Sequence, residues 1–356
     1  MGDGEMRADL DALAAASEGT VSVSDLDEGP APGPEAGPSR AASLSCRRHS
    51  RGVPAPLVTT SFSRLVGGES SRSAEEGLDR DATGGMDRPT PGPGEAGGRR
   101  VTLADLEPGA RAGNCFHEIF ETIDFEGGSG EIRAEVERRL ARHGFDPRAW
   151  TEPATRAVAD ALATEIDPAS PGLSLSRVPA SRRLTEIDLL VPAAIDRGRA
   201  VAPGALAAAF AALGHVPDGY AESVSRLGFA PFRGFVKGFA DLVFVHGDRW
   251  YLVDYKTNHL GDLLDDYRPE ALERAMAEHH YYLQYHLYAL ALHRYLGRRL
   301  AGYDYGTHFG GAIYLFLRGM CPEEEDRYGV FRDLPDPDLI EGMSALLDGD
   351  ARGVTP

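Results

Sequence analysis

The feature that most limits what this chain can fold into is KGFADLVFVHGDRWYLVDYKTN, residues 237–258. Two β-rich runs, GFVKGFADLVFV and RWYLVDYKT, flank His246-Gly247-Asp248. Gly-Asp is a favourable two-residue turn of type II′, because glycine accepts a positive φ at the first central position. With the turn centred there, His246 pairs with Arg249, and counting back one step at a time brings Asp241 opposite Asp254. Residues directly opposite hold their Cβ atoms roughly 5 Å apart. Lys256, two residues past Asp254, shares that face. The same face carries Phe239, Val243, Val245, Trp250 and Leu252, which argues against a merely solvated polar surface. Like charges directly opposite are destabilising on their own. Either the acids share a proton or a divalent cation keeps both ionised. Lys256 alongside suits the cation, since an ammonium can orient a water or stabilise charge building on a phosphate.

The rest of the chain frames this hairpin. Residues 6–16 have the look of a short helix. From about Ser22 to Arg100, segments such as DEGPAPGPEAGPSRAAS and DRPTPGPGEAGGRR offer too little apolar surface to offset chain entropy. Residues 1–100 therefore read as a mostly disordered linker with one short helix. An apolar island, PLVTTSFSRLVGG (residues 56–68), is expected to dock on a folded neighbour. Order is expected over residues 101–356. Helical spacing runs through RAGNCFHEIFETIDF (111–125), EIRAEVERRLARHG, ATRAVADALATEI and GALAAAFAAL (204–213). RRLTEIDLLVP (182–192) and GGAIYLFLRGM (310–320) read as strands, residues 269–300 as one long helix, and the tail from Pro322 as loop plus a short helix. The class is α/β, with a mixed central sheet flanked by helices.

Composition excludes several functions. The formal net charge of -18 argues against a general basic surface for nucleic acid, although a local cationic channel or bound metal can still meet phosphates. Cys46, Cys115 and Cys321 are odd in number and far apart, so no disulfide framework or zinc site is expected, and a reducing cytoplasm fits. The acidic N-terminus MGDGEMRADLDALAAASEGT is no signal peptide, and no apolar run approaches the roughly 18 residues of a membrane span. No G-x-x-x-x-G-K-[ST] motif occurs, so no P-loop ATPase is present.

The D-x(12)-D-x-K spacing of the hairpin resembles the PD-(D/E)XK nuclease core, a restriction-endonuclease-like fold. The flanking segments TSFSRL, GNCFHEIFE, LQYHLYALALHRYL and YDYGTHFGGAIYLFLRG resemble, in order, the C-terminal nuclease domain of the RecB family, the beta subunits of exodeoxyribonuclease V. The resemblance implies that Asp241 and Asp254 bind metal, that Lys256 is the catalytic lysine, and that the Tyr255 carbonyl is a further ligand. His117 matches a family histidine that adds a metal ligand from the first helix. Glu186 lies where the family has an acid on the strand before the hairpin, with Asp188 a competitor on the same face. Gln284 and Tyr288, one helical turn apart, match a Q-x-x-x-Y element that positions the phosphate or the lysine; ordinary helix packing is the alternative. The histidines of the 269–300 helix, His279, His280, His286 and His293, read as surface groups rather than ligands.

What the resemblance implies is Mg2+-dependent hydrolysis of DNA, with one or two ions and Mn2+ as a substitute. The expected substrate is linear single- and double-stranded DNA. RecC- and RecD-like subunits are the expected partners in double-strand-break repair and recombination, with a helicase portion supplied in cis or in trans. The expected location is cytoplasmic, at the nucleoid, with no membrane association. A fragment, a split gene product and a freestanding nuclease all remain compatible. Two rivals are a catalytically inactive nuclease-like scaffold and another metal-dependent enzyme such as a phosphatase. Retention of Asp241, Asp254 and Lys256 together argues against the first, and the Q-x-x-x-Y helix against the second.

Overall fold

In the computed structural model the described residues are 2–25, 56–67, 98–195, 200–324 and 327–349. They divide into two units, one ending by Val53 and the other starting at Pro54. In the first unit, helix α1 (Asp3–Ala16) forms where sequence predicts one, and Glu5 Oε2 accepts from the Gly2 N–H at 3.0 Å. Most of the remaining sequence read as linker lies outside the described residues.

The second unit is organised by the hairpin. Strands β3 (Gly234–His246) and β4 (Arg249–Lys256) pair from His246↔Arg249 to Leu242↔Val253, the register the turn dictates. Gly247 has φ +59°, as the type II′ turn requires. The 56–68 island does dock: β1 (Val58–Ser61) pairs in parallel with the start of β3, and the following α2 (Phe62–Gly67) buries Phe62 and Leu65. Gly234 permits this junction, because its φ of +138° suits glycine and a Cβ there would lie 2.0 Å from the Val58 carbonyl oxygen. On its other side β3 pairs antiparallel with β2 (Arg183–Ala193). Beyond β4 come β5 (Phe309–Phe316), parallel, and β6 (Val330–Asp333), antiparallel. The six strands form one mixed sheet.

Helices cover both faces. The apolar side chains of α3 (Ala110–Thr122), α4 (Ser129–Arg142) and α5 (Pro147–Ala163) build one core with Leu242, Phe244, Tyr251, Val253 and Tyr255. Those of α6 (Pro203–Leu213), α7 (Tyr220–Ser225), α8 (Pro269–Glu278), α9 (Tyr281–Arg299), α10 (Tyr305–His308) and α11 (Pro337–Asp348) build the other. Strand β5 is buried along its whole length, which is why its sequence is a continuous apolar run rather than an alternating one.

Three local expectations need correction. The single helix over 269–300 is two, α8 and α9, separated at His280, whose backbone is left-handed with φ +56°. AMAEHHYYL contains neither glycine nor proline, so its helical spacing reads straight through the break. The tail contains β6 as well as a helix; four residues are too few for a periodicity signal. And His286 is not a surface group: it is 2% exposed, stacks on Tyr285 and meets Phe210 edge-on.

His286 Nδ1 donates to the Tyr282 carbonyl at 2.6 Å, and burial pushes the imidazole down to about 4. The unfolded chain therefore takes up this proton near pH 6.5, while the folded chain does not until about pH 4. Stability contributed by neutral His286 is complete above pH 6.5 and is lost as pH falls through that window. Urea denaturation from pH 7 to pH 4.5 should show the wild type losing about 1–3 kcal/mol more than His286→Phe.

Candidate active site

Asp241 sits one step beyond the last paired position of the hairpin. Hydrogen-bonded pairs alternate along an antiparallel ladder, so after 246/249, 244/251 and 242/253 the next main-chain partner of Tyr255 would be Ala240. Instead the Tyr255 N–H donates to Asp241 Oδ2 at 2.7 Å. The carboxylate takes the place of a backbone carbonyl and ends the ladder. The two acids expected to face each other within the ladder lie past its last pair, Leu242↔Val253, and are not a paired position of it.

The neighbouring strand breaks at the same point. Thr185↔Leu242 and Ile187↔Ala240 keep register on both sides, and Glu186, between them, has a left-handed φ of +52°. Val236 and Ala240 pack in the α9-side core, whereas Leu242 and Phe244 pack in the α3-side core. The face that even-numbered residues present therefore switches at Asp241. Paired irregularities of this kind re-aim side chains and cluster at functional sites. Here they bring Glu186 toward Asp241. Asp188, the competitor, is an exposed residue whose carboxylate lies 3.5 Å from Lys237 Nζ, away from the cluster.

Helix α3 supplies the third group. The spacing that buries Phe116, Ile119 and Phe120 also buries His117. His117 Nδ1 is 3.0 Å from Asp241 Oδ1, and its ring meets Tyr255 edge-on. Ligand atoms of His117, Glu186 and Asp241 all lie within 4.8 Å of one another, the one such trio among the described residues. One imidazole and two carboxylates, supported by further polar groups, are a donor set that fits a small divalent cation.

Asp254 and Lys256 form the adjoining half. Lys256 Nζ forms an ion pair with Asp254 Oδ1 at 2.6 Å, and both residues are buried. Burial first, and the charge of Asp241 second to the opposing pull of Lys256, hold the Asp254 carboxyl well above the usual carboxylate range. Like charge and desolvation both favour a positive partner here. Lys256 Nζ also lies 4.3 Å from the centroid of the Tyr281 ring and 5.5 Å from that of Tyr314.

Gln284 and Tyr288 are in the core beneath this half, 3% and 2% exposed. Gln284 Oε1 accepts from the Tyr314 hydroxyl at 2.8 Å, and Gln284 Nε2 donates to the Tyr288 hydroxyl at 3.4 Å. Tyr288 lies under Gly238 of β3, where a Cβ would come 2.3 Å from the ring. Gln284 thus reaches Lys256 through Tyr314. Sequence reasoning missed Tyr281 and Tyr314. Tyr281 was within reach, since it precedes Gln284 by three residues and shares its helix face; Tyr314 was hidden in the apolar run of β5.

A mixed sheet whose central hairpin carries two acids and a lysine, with a helical histidine above it, defines a class of metal-handling nuclease folds. A family model for the PD-(D/E)XK nuclease superfamily matches residues 95–351, and the chain belongs to that superfamily. It is similar to the RecB subunit of the RecBCD enzyme from Escherichia coli K12, 36% identical over 250 residues, covering 70% of this chain and 20% of that protein. The Mycolicibacterium smegmatis RecB subunit is 34% identical over 350 residues, covering 90% of this chain and 31% of the relative. The Haemophilus influenzae RecB subunit reaches 52% over 120 residues, covering 34% of this chain and 10% of the relative. These relatives bear out the resemblance drawn from the sequence. The chain spans between a tenth and a third of their length in these matches.

The geometry separates Glu186 from Asp188. In calorimetric titration with Mn2+, Glu186→Gln should weaken binding at least about tenfold, whereas Asp188→Asn should leave it unchanged.

Proposed function

We propose that the second unit is a divalent-metal-dependent deoxyribonuclease that hydrolyses phosphodiester bonds as the nuclease portion of a RecBCD-type recombination and repair enzyme. The observation that carries this reading is the joining of His117, Glu186 and Asp241 with the buried Asp254–Lys256 pair on one interrupted hairpin. His117, Asp241 and Asp254 would hold Mg2+, or Mn2+ in its place, with Glu186 and the Tyr255 carbonyl as further contributors. When bound, the ion would neutralise the phosphodiester and lower the pKa of a coordinated water.

The chain's own residues do the rest. The Tyr255 N–H keeps Asp241 Oδ2 fixed, leaving Oδ1 toward His117. Lys256 donates toward the attacking water or a phosphate oxygen, where charge accumulates in the transition state. Asp254 orients that ammonium. Gln284, through Tyr314, limits how far Lys256 can swing. The net charge of -18 then implies weak binding of DNA by this chain alone, with tight binding left to partners.

Because the relatives are RecB subunits of RecBCD enzymes, RecC- and RecD-like subunits and a helicase portion in cis or in trans are the partners we propose. Linear DNA ends are the proposed substrate, and the nucleoid in the cytoplasm the proposed location. Among the described residues no helix is long and apolar enough to cross a membrane.

Digestion of linear single- and double-stranded DNA with Mg2+, with EDTA as control, tests this reading. Asp254→Ala and Lys256→Ala should each cut at least about 100-fold more slowly than the wild type. A wild type that cuts nothing at micromolar protein, or variants that cut as well as it does, would sink the proposal.

A further inference from the structure

Two rings and a helix break converge on Lys256. Tyr281 opens α9, immediately after the left-handed His280. Its ring lies under the Lys256 ammonium at 4.3 Å, and its hydroxyl donates to Asn258 Oδ1 at 3.2 Å. Asn258 follows Lys256 by two residues, just past the end of β4. Its Nδ2 donates to His279 Nε2 at 3.2 Å, and the His279 ring stacks on Tyr281. Tyr314, from β5, closes the other side and is held by Gln284. A continuous helix over 269–300 would place His279 and Tyr281 about 200° apart around its axis and could not stack them.

We propose that the break between α8 and α9 exists to build a cation–π cradle for Lys256, with Tyr281 as its principal positioning residue and Asn258 and His279 as the clamp on the ring. A lysine ammonium rides on a flexible four-carbon stem, so its position depends on what packs around it. An aromatic face attracts a desolvated cation without competing for its hydrogen atoms. The cradle therefore holds Nζ near Asp254. This inference rests on Lys256 being the catalytic amine, and its test separates the two.

Activity is read first as kcat and KM on linear DNA with Mg2+. Tyr281→Leu should lower kcat about tenfold or more at unchanged KM. Tyr281→Phe, which keeps the ring and loses the hydroxyl's bond to Asn258, should stay within about threefold of wild type. In a Lys256→Ala background Tyr281→Leu should cost nothing further. A Tyr281→Leu enzyme as fast as wild type, or one that loses as much without Lys256 as with it, overturns the cradle.

The second arm needs no activity. The chain has two lysines, Lys237 and Lys256, so protein labelled with 13C at the lysine ε-carbon gives two methylene signals, assigned by Lys237→Arg. The Lys256 ε-protons should be displaced upfield by the Tyr281 and Tyr314 rings, and Tyr281→Leu should return them toward the free-lysine position. An undisplaced Lys256 signal in the folded wild type overturns the cradle even if Tyr281→Leu fails to fold. If the wild type cuts no DNA, the nuclease reading falls and this signal alone decides the cradle.

Discussion

The hydrogen bond from the Tyr255 N–H to the Asp241 carboxylate is the interaction around which the rest of the centre is arranged. A backbone donor in a buried sheet must find a partner, and leaving it unmade costs about 1–3 kcal/mol. By answering that donor with a side chain, the chain ends its ladder where the strands need to part. The same bond fixes one carboxylate oxygen of Asp241 and turns the other toward His117. Glu186 then completes the group because β2 carries its own irregularity at the matching position, so neither strand loses register with the other.

Charge balance explains why the two halves of the centre lie together. Asp241 and Asp254 are both buried, and the burial of Asp254 together with the charge of Asp241 penalises ionisation of Asp254. Lys256 offsets part of that penalty within the chain, and a divalent cation held by His117, Asp241 and Asp254, with Glu186 contributing, would offset the remainder. The surrounding core half is rich in tyrosine: Tyr281, Tyr285, Tyr288 and Tyr314 all pack there. Their rings are buried while their hydroxyls bond to Asn258, Asp333 and Gln284. Lys256 thus sits at the boundary of a dry interior, where a fixed charge acts most strongly.

Much of this was legible in residue order. The Gly247-Asp248 turn set the hairpin register, and that register held for every paired position from His246↔Arg249 to Leu242↔Val253. Helical spacing located α3, α4 and α6, and the continuous apolar run located β5. The failures share one cause, which is that local patterns say nothing of distant neighbours. The helix break at His280 has no glycine or proline to announce it; the stacking of His279 on Tyr281 and their link to Asn258 accompany it. His286 looked like one polar group among several, yet it is buried against the rings of Tyr285 and Phe210.

By itself the sequence determined the α/β class, the hairpin and its pairing as far as Leu242↔Val253, because turn chemistry and alternation act over neighbouring residues. It also carried the family likeness, through motifs that lie in order along the chain. Tertiary structure alone decided that Glu186 rather than Asp188 joins the cluster, since the left-handed turn at Glu186 matters only against the matching switch in β3. It decided too that Tyr281 and Tyr314 enclose Lys256, because a ring from a helix and a ring from a strand meet only when both faces of the sheet are packed.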